Sequence, residues 1–331
     1  MTGSDRNETY SYQHLQRAAA GGCRCRLYRF FLYTIGFFAP SPAVGLLFSP
    51  SGKTYLDADT LKAALEAEDV ELLAAESGES CADAANRLLA AGARALIVPQ
   101  DDASVDPALL DAAEAAGASV FFVGESPSDA TLSSSAELWY LGSLASHGGE
   151  VLGKAIAMDY RDGTVFDPNG DLLLQYYLYQ SSPNAEQTDL ATYALAECEH
   201  YGVYTAQVNY IDEEGNALPF DAESLAGQSA PEIILCTSVQ DAQTALETAA
   251  ALGWLEGEQP VRIYAAADTP EEAGALVADG VQAAAHYDPV AMGSAAAQMA
   301  LNALDHQFPG LGTELSSDEA GRFILPYGLS E

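Results

Sequence analysis

From residue 42 onward the chain alternates short, wholly apolar runs with amphipathic segments, and it does so in two successive series. Pro42-Ala-Val-Gly-Leu-Leu-Phe48, Val70-Glu-Leu-Leu-Ala-Ala75, Ala95-Leu-Ile-Val98 and Ser119-Val-Phe-Phe-Val123 have the length and composition of strands. Between them, Leu61 to Glu68, Cys81 to Ala91 and residues 107–116 carry apolar residues at helical spacing. A strand that is apolar at every position must be covered on both faces, which calls for parallel strands linked by helical crossovers. The second series starts after Leu138-Trp-Tyr-Leu-Gly142. It predicts helices over 146–159, 186–201, 240–252 and 270–279, and strands over 173–179, 203–211, 232–237, 261–266 and 281–286. Two such series predict an α/β protein of two doubly wound parallel-sheet lobes. Ligands of these sheets bind outside the carboxyl ends of the strands, so the natural site is a cleft between lobes.

Charge narrows the partners. Against 48 acidic residues there are only 13 basic ones, a formal charge of -35, which repels phosphate backbones and disfavours nucleic acid. Such a surface either attracts cations or suits a salty medium, or simply keeps the protein soluble. The five cysteines, at positions 23, 25, 81, 198 and 236, form no C-x-x-C pair and have no zinc-like histidine spacing. Five of the basic residues fall in the first 41 positions, four of them ahead of the largely apolar run from Leu27 to Phe38, which includes the fifth, Arg29, and is followed by a Pro/Ser/Ala segment. That order is similar to an export leader, although its polar start is long. Cys23 follows Ala-Gly-Gly in the manner of an acylation site, but no hydrophobic segment precedes it. The expectation is an extracytoplasmic protein, with tethering through its N-terminus left open.

One short segment carries its own chemistry. In Asp167-Pro-Asn169-Gly-Asp171-Leu-Leu173-Leu-Gln175, oxygen-bearing side chains occupy alternate positions and Leu173 can offer a carbonyl. A hard cation such as calcium needs this convergence of alternate residues. The EF-hand positions for Gly and the closing Glu hold Leu172 and Leu178 instead, so that motif is excluded. The same residues also suit an Asx-rich turn with no metal.

The order of elements resembles the type 1 periplasmic sugar-binding proteins. The second half resembles their glucose/galactose-binding members through the Asp167–Gln175 run, Pro183-Asn-Ala-Glu186 with Ala191-Thr-Tyr193, Pro231-Glu-Ile-Ile-Leu235, Asp268 to Val277 and Leu325-Pro-Tyr-Gly328. The similarity covers residues 42–331. It implies a leader over 1–41, an N-terminal lobe of 42–143 plus 288–317, and a C-terminal lobe of 144–287 plus 318–331, joined by a hinge. It further implies that Glu232 closes a structural Ca2+ site with Asp167, Asn169, Asp171, the Leu173 carbonyl and Gln175. For a sugar it implies Tyr55 and Phe220 as aromatic walls, with Asn184, Asp268, Asp288, Lys53 and Ser238 as polar partners. The family's arginine position holds Thr188 or Leu190, and Val123 stands in place of an asparagine. On this resemblance the chain is a monomeric, non-enzymatic solute-binding protein that passes a small polar ligand, a monosaccharide, to an ABC permease or a membrane sensor.

Three other readings stay open. A degenerate relative could keep the fold and lose the sugar, which the missing arginine favours. An enzyme on this scaffold would need a phosphate loop, a nucleophile elbow or a paired-histidine motif, and none occurs. A ligand-sensing repressor would need a basic helix-turn-helix before the first strand, which the leader does not resemble.

Overall fold

In the computed structural model the described residues are 42–331, apart from Lys53 and Ser77. The leader with Cys23, and Lys53 among the expected ligand contacts, lie outside them. Residues 42–331 form one compact unit built on two sheets.

The first sheet has the order β11-β12-β5-β4-β3-β1-β2. Its strands are β1 (Ala43–Leu46), β2 (Glu71–Ala74), β3 (Ala93–Gln100), β4 (Ser119–Gly124), β5 (Leu138–Gly142), β11 (Ser316–Ser317) and β12 (Arg322–Ile324). All of its pairings are parallel except β11 with β12. The second sheet runs β13-β10-β9-β8-β6-β7, from β6 (Leu173–Tyr179), β7 (Tyr204–Gln207), β8 (Ile233–Cys236), β9 (Arg262–Ala267), β10 (Ala283–His286) and β13 (Gly328–Ser330). Only β13 is antiparallel there.

The helices of the first lobe are α1 (Ala58–Ala67), α2 (Cys81–Ala90), α3 (Pro107–Ala116), the short α4 (Asp129–Leu132) and α9 (Pro289–Leu304). Those of the second are α5 (Ala145–Asp162), α6 (Ala185–His200), α7 (Val239–Ala251) and α8 (Pro270–Ala278).

The continuous apolar strands follow directly from this sandwiching. Successive residues of a strand point to opposite faces, so Ala95, Ile97, Phe121 and Val123 enter one core with Leu61 of α1 and Met292 of α9. Their neighbours Leu96, Val98, Val120 and Phe122 enter another with Leu88 of α2 and Leu109 of α3. In the second lobe Ile233, Leu235 and Tyr264 pack with Leu152 and Ala194, whereas Ile234, Cys236 and Ile263 pack with Ala245 and Leu276. Each sheet therefore has a core on both faces.

Two differences from the sequence expectations concern strands. Leu138–Gly142, to which the sequence pattern assigns no element, is strand β5 of the first sheet, paired with β4 and β12. The predicted strand over 203–211 is shorter, Tyr204–Gln207. A third concerns the lobe boundary. Residues from 318 were expected in the C-terminal lobe, yet Arg322–Ile324 pair with Tyr140–Gly142 of the first sheet, and only Gly328–Ser330 join the second. Arg322 fixes the strand there, because its guanidinium meets Asp129, Asp318, the Ser126 hydroxyl and the Pro127 carbonyl, all of the first lobe.

Three segments consequently cross between lobes: after β5, between β10 and α9, and between β12 and β13. They are bonded to one another. Ser143 Oγ donates to the Leu325 carbonyl and Leu325 N to the Gly142 carbonyl, both at 2.8 Å. The Tyr287 and Tyr327 rings meet edge to face at 6.2 Å, and the Tyr287 hydroxyl donates to the Tyr55 carbonyl.

Candidate functional site

The carboxyl ends of β6, β8 and β9 lead into α6, α7 and α8, and the starts of these helices surround a cavity of about 430 Å³ in the second lobe. Its lining includes Asn184, Glu186, Gln187, Leu190, Thr237, Ser238, Gln240, Asp268, Glu272 and Tyr327. Three expected ligand residues, Asn184, Ser238 and Asp268, are thus brought together from segments far apart in the chain. Two of them also serve the fold. Asn184 caps α6 in a capping box, accepting from Gln187 N while Gln187 Oε1 accepts from Asn184 N. Ser238 caps α7 by accepting from Asp241 N, and its hydroxyl donates to Asp241 Oδ2. Asp268 does not cap α8, because Thr269 does, through Glu272 N. Its carboxylate accepts no hydrogen bond from a described residue and borders the cavity.

A separate cavity of about 700 Å³ lies on the first lobe at the ends of β1 and β2, lined by residues such as Phe48, Ser49, Ser51, Tyr55, Glu76 and Pro99. Tyr55, expected as an aromatic wall, is among these residues, but only 8% of it is exposed. A Cβ on Gly124 would lie 2.8 Å from its ring, so the ring is packed against that backbone, and its hydroxyl donates to Asp101 Oδ1 at 3.0 Å. Burial, followed by the hydrogen bond to Asp101, pushes this phenol well above its ordinary range. Asp101 also accepts from Ser49 Oγ, Ser51 Oγ and Ser51 N, which ties down the loop after β1. The exposed aromatic surface of this cavity belongs to Phe48, 55% accessible, which the sequence reading did not single out.

Two expected contacts are placed elsewhere. Phe220 lines neither cavity. It stacks on Tyr179 and Tyr177 at centroid separations of 4.4 and 4.9 Å, in an aromatic group that continues through Tyr210 to Trp254. Tyr177 and Tyr179 project from the same face of β6 two residues apart, and an aromatic cover there is worth more than an isolated exposed ring. Asp288 caps α9 through Ala291 N at 2.9 Å and lines neither cavity. At the expected arginine position, Leu190 is 4% exposed and forms part of the second cavity, whereas Thr188 turns its hydroxyl to the Asn184 carbonyl.

The remaining lining residues Glu186, Gln187, Thr237, Gln240, Glu272 and Tyr327 went unnoticed in the sequence. Most lie in the first turn of a helix that follows a strand, a position that signals cleft exposure in a doubly wound sheet.

At the end of the Asp167 loop, Glu232 is bonded to Gln175. Its backbone N–H donates to the Gln175 carbonyl, and its Oε2 accepts from Gln175 N at 3.0 Å. Glu232 is 6% exposed, and its other oxygen, Oε1, has no hydrogen-bond partner. Burial first, then the negative charges of Asp167 and Asp171, push its carboxyl up to about 7 although Gln175 N pulls it down. The loop oxygens themselves act as turn acceptors. Asp167 receives Gly170 N and Leu172 N, Asn169 receives Asp171 N, and Asp171 receives Leu173 N. Among the described residues no group of three or more His, Cys, Asp or Glu side chains is gathered tightly enough to hold a metal ion. The fit to calcium is thus one of donor chemistry: three carboxylates, one with an orphaned buried oxygen, beside an amide-rich loop.

Comparison with known proteins gives the family. Residues 44–308 match the family described as periplasmic binding protein domain, and the chain belongs to that family. Its fold is that of several solved binding proteins. A periplasmic solute-binding protein of an ABC transporter from Actinobacillus succinogenes, solved with D-allose, is 14% identical with a TM-score of 0.59, over 88% of this chain and 98% of that one. A periplasmic ribose ABC transporter protein from Conexibacter woesei is 17% identical with a TM-score of 0.58, over 89% and 93%. A glucose-galactose binding protein from Geobacillus stearothermophilus is 16% identical with a TM-score of 0.51, over 88% and 98%. At such identities the shared property is the two-lobed fold, and the glucose/galactose-binding members are not singled out.

Proposed function

We propose that this chain is an extracytoplasmic solute-binding protein that captures a small hydroxylated ligand of the saccharide class between its lobes and delivers it to an ABC permease or a membrane sensor. The observation that carries this reading is the second-lobe cavity, where amides, hydroxyls and carboxylates converge at the carboxyl ends of three strands. Family membership and the sugar-binding proteins that share the fold support it. Family membership supports binding rather than catalysis. Affinity arises when the first-lobe wall with Tyr55 and Phe48 closes on this cavity, a hinge motion about the three crossing segments. The two cavities share no lining residue, as expected of open lobes. Among the described residues no helix is long and apolar enough to cross a membrane.

We also propose a structural calcium ion held by Asp167, Asn169, Asp171, the Leu173 carbonyl, Gln175 and Glu232. A dication would relieve the repulsion that raises the Glu232 carboxyl and would give its orphaned oxygen a partner. In this reading the ion braces the junction of β6 and β8 and takes no part in ligand capture.

Small-angle scattering and calorimetry with a panel of pentoses, hexoses and their derivatives test the capture reading. Saturable binding with a decrease in radius of gyration is expected. A panel that neither binds nor compacts the protein refutes it in favour of a degenerate relative.

A further inference from the structure

Resting on that reading of the cleft, we infer that the captured ligand is a hydroxylated small molecule bearing a protonated amine, such as an amino sugar, rather than a neutral sugar or an anion. The second-lobe cavity presents the carboxylates of Glu186, Asp268 and Glu272. No Lys, Arg or His occurs among the described residues that line either cavity.

Hydrogen-bonding capacity leans the same way. Carboxylates only accept. The oxygens of Asn184 and Gln187 are already engaged in the capping box, and Thr237 Oγ1 already accepts from Gln180. Asp268 has its full accepting capacity open to the cavity. The carboxylates call for donors from the ligand, of which an ammonium brings three with no acceptor, while the amide N–H groups of Asn184 and Gln187 suit the ligand's hydroxyls.

Three helix starts border the cavity, and bare helix N-termini would favour an anion. Here each is already answered. Asn184, Ser238 and Thr269 cap α6, α7 and α8, and their first turns carry Glu186, Asp241 and the pair Glu271 and Glu272. Burial, and after it the charges of Glu186 and Asp268, push the Tyr327 phenol well up. Tyr327 in the second cavity, with exposed Phe48 in the first, also supplies ring faces that attract a cation.

The test is calorimetry of the full chain against matched pairs, galactose with galactosamine and glucose with glucosamine, with N-acetylglucosamine as an uncharged control. The measurements are made at about pH 6.5, where a primary amine is protonated, at low salt and at about 0.5 M salt. At least one amine is expected to bind about tenfold or more tighter than both its neutral partner and the acetylated control, with the advantage reduced at high salt. Asp268→Asn is expected to shrink that preference, with thermal melting confirming an intact fold. Neutral sugars binding as well as their amines would overturn this inference and leave the saccharide reading standing. A panel in which nothing binds overturns both.

Discussion

Replacing Glu232 by Gln removes a charge from a buried position without changing its shape. In the calcium-free protein the wild-type carboxyl titrates at about 7, against an ordinary 4.5. Folding therefore favours the protonated form. The stability associated with it is fully present below about pH 4.5 and is lost as the pH rises through 7. A displacement of that size corresponds to about 3 kcal/mol, and allowing for relaxation we expect about 2 kcal/mol at pH 8. Glu232→Gln avoids that loss. Its amide oxygen can still accept from Gln175 N, and its neutral NH₂ no longer feels the Asp167 and Asp171 charges that help raise the Glu232 carboxyl. In chelator at pH 8 the variant should melt about 3 °C above wild type, because unfolding entropy grows with chain length and 1 kcal/mol is worth under about 2 °C at this size. The gap should close to under about 1 kcal/mol by pH 5, where the wild-type carboxyl is protonated. If the proposed ion binds, calcium should reverse the order, since a site held at a hundredfold excess over its dissociation constant adds about 2.7 kcal/mol and the variant would gain little. Differential scanning calorimetry across pH, with and without calcium, reads all three. A variant less stable than wild type in chelator at pH 8, or wild-type stability that climbs between pH 5 and 8, would falsify the account of a strained, cation-seeking carboxylate.

Gly153→Ala should destabilise the second lobe by about 1–3 kcal/mol or more, because the added Cβ would press on the Ala194 carbonyl where α5 and α6 touch; chemical denaturation measures it, and an unchanged midpoint contradicts the close helix approach. Tyr287→Phe deletes the donor to the Tyr55 carbonyl at the lobe crossing and should lower stability by about 1–3 kcal/mol, read by the same method; an unaltered midpoint would mean that this bond does not hold the hinge.

Much of the fold was legible because it rests on a one-dimensional pattern. Continuous apolar runs such as Phe121-Phe-Val123 can be satisfied only between two helical layers, and the structure provides both. Leu138–Gly142 escaped notice because no helix pattern separates it from the preceding loop in the way the other strands are separated. Its status as a strand comes from partners on β4 and β12, the latter about 180 residues away. The site was legible in part. Asn184, Ser238 and Asp268 follow strands, and sheet topology gathers strand ends. Phe220 and Asp288 are equally suggestive as residue types, yet one stacks on Tyr177 and Tyr179 and the other caps a helix. Such local alternatives have nearly the same sequence signature as ligand contacts.

By itself the sequence determined the two alternating series, the acidic surface and the spacing of the Asp167 loop, because periodicity, charge and neighbour chemistry are properties of the chain. Only the tertiary structure decided that β12 belongs to the first lobe, that Glu232 is bonded to Gln175 at the end of the Asp167 loop, and that Glu186, Asp268 and Glu272 border one cavity free of described cations. Those facts depend on which distant segments become neighbours, and that follows from sheet order and crossover packing.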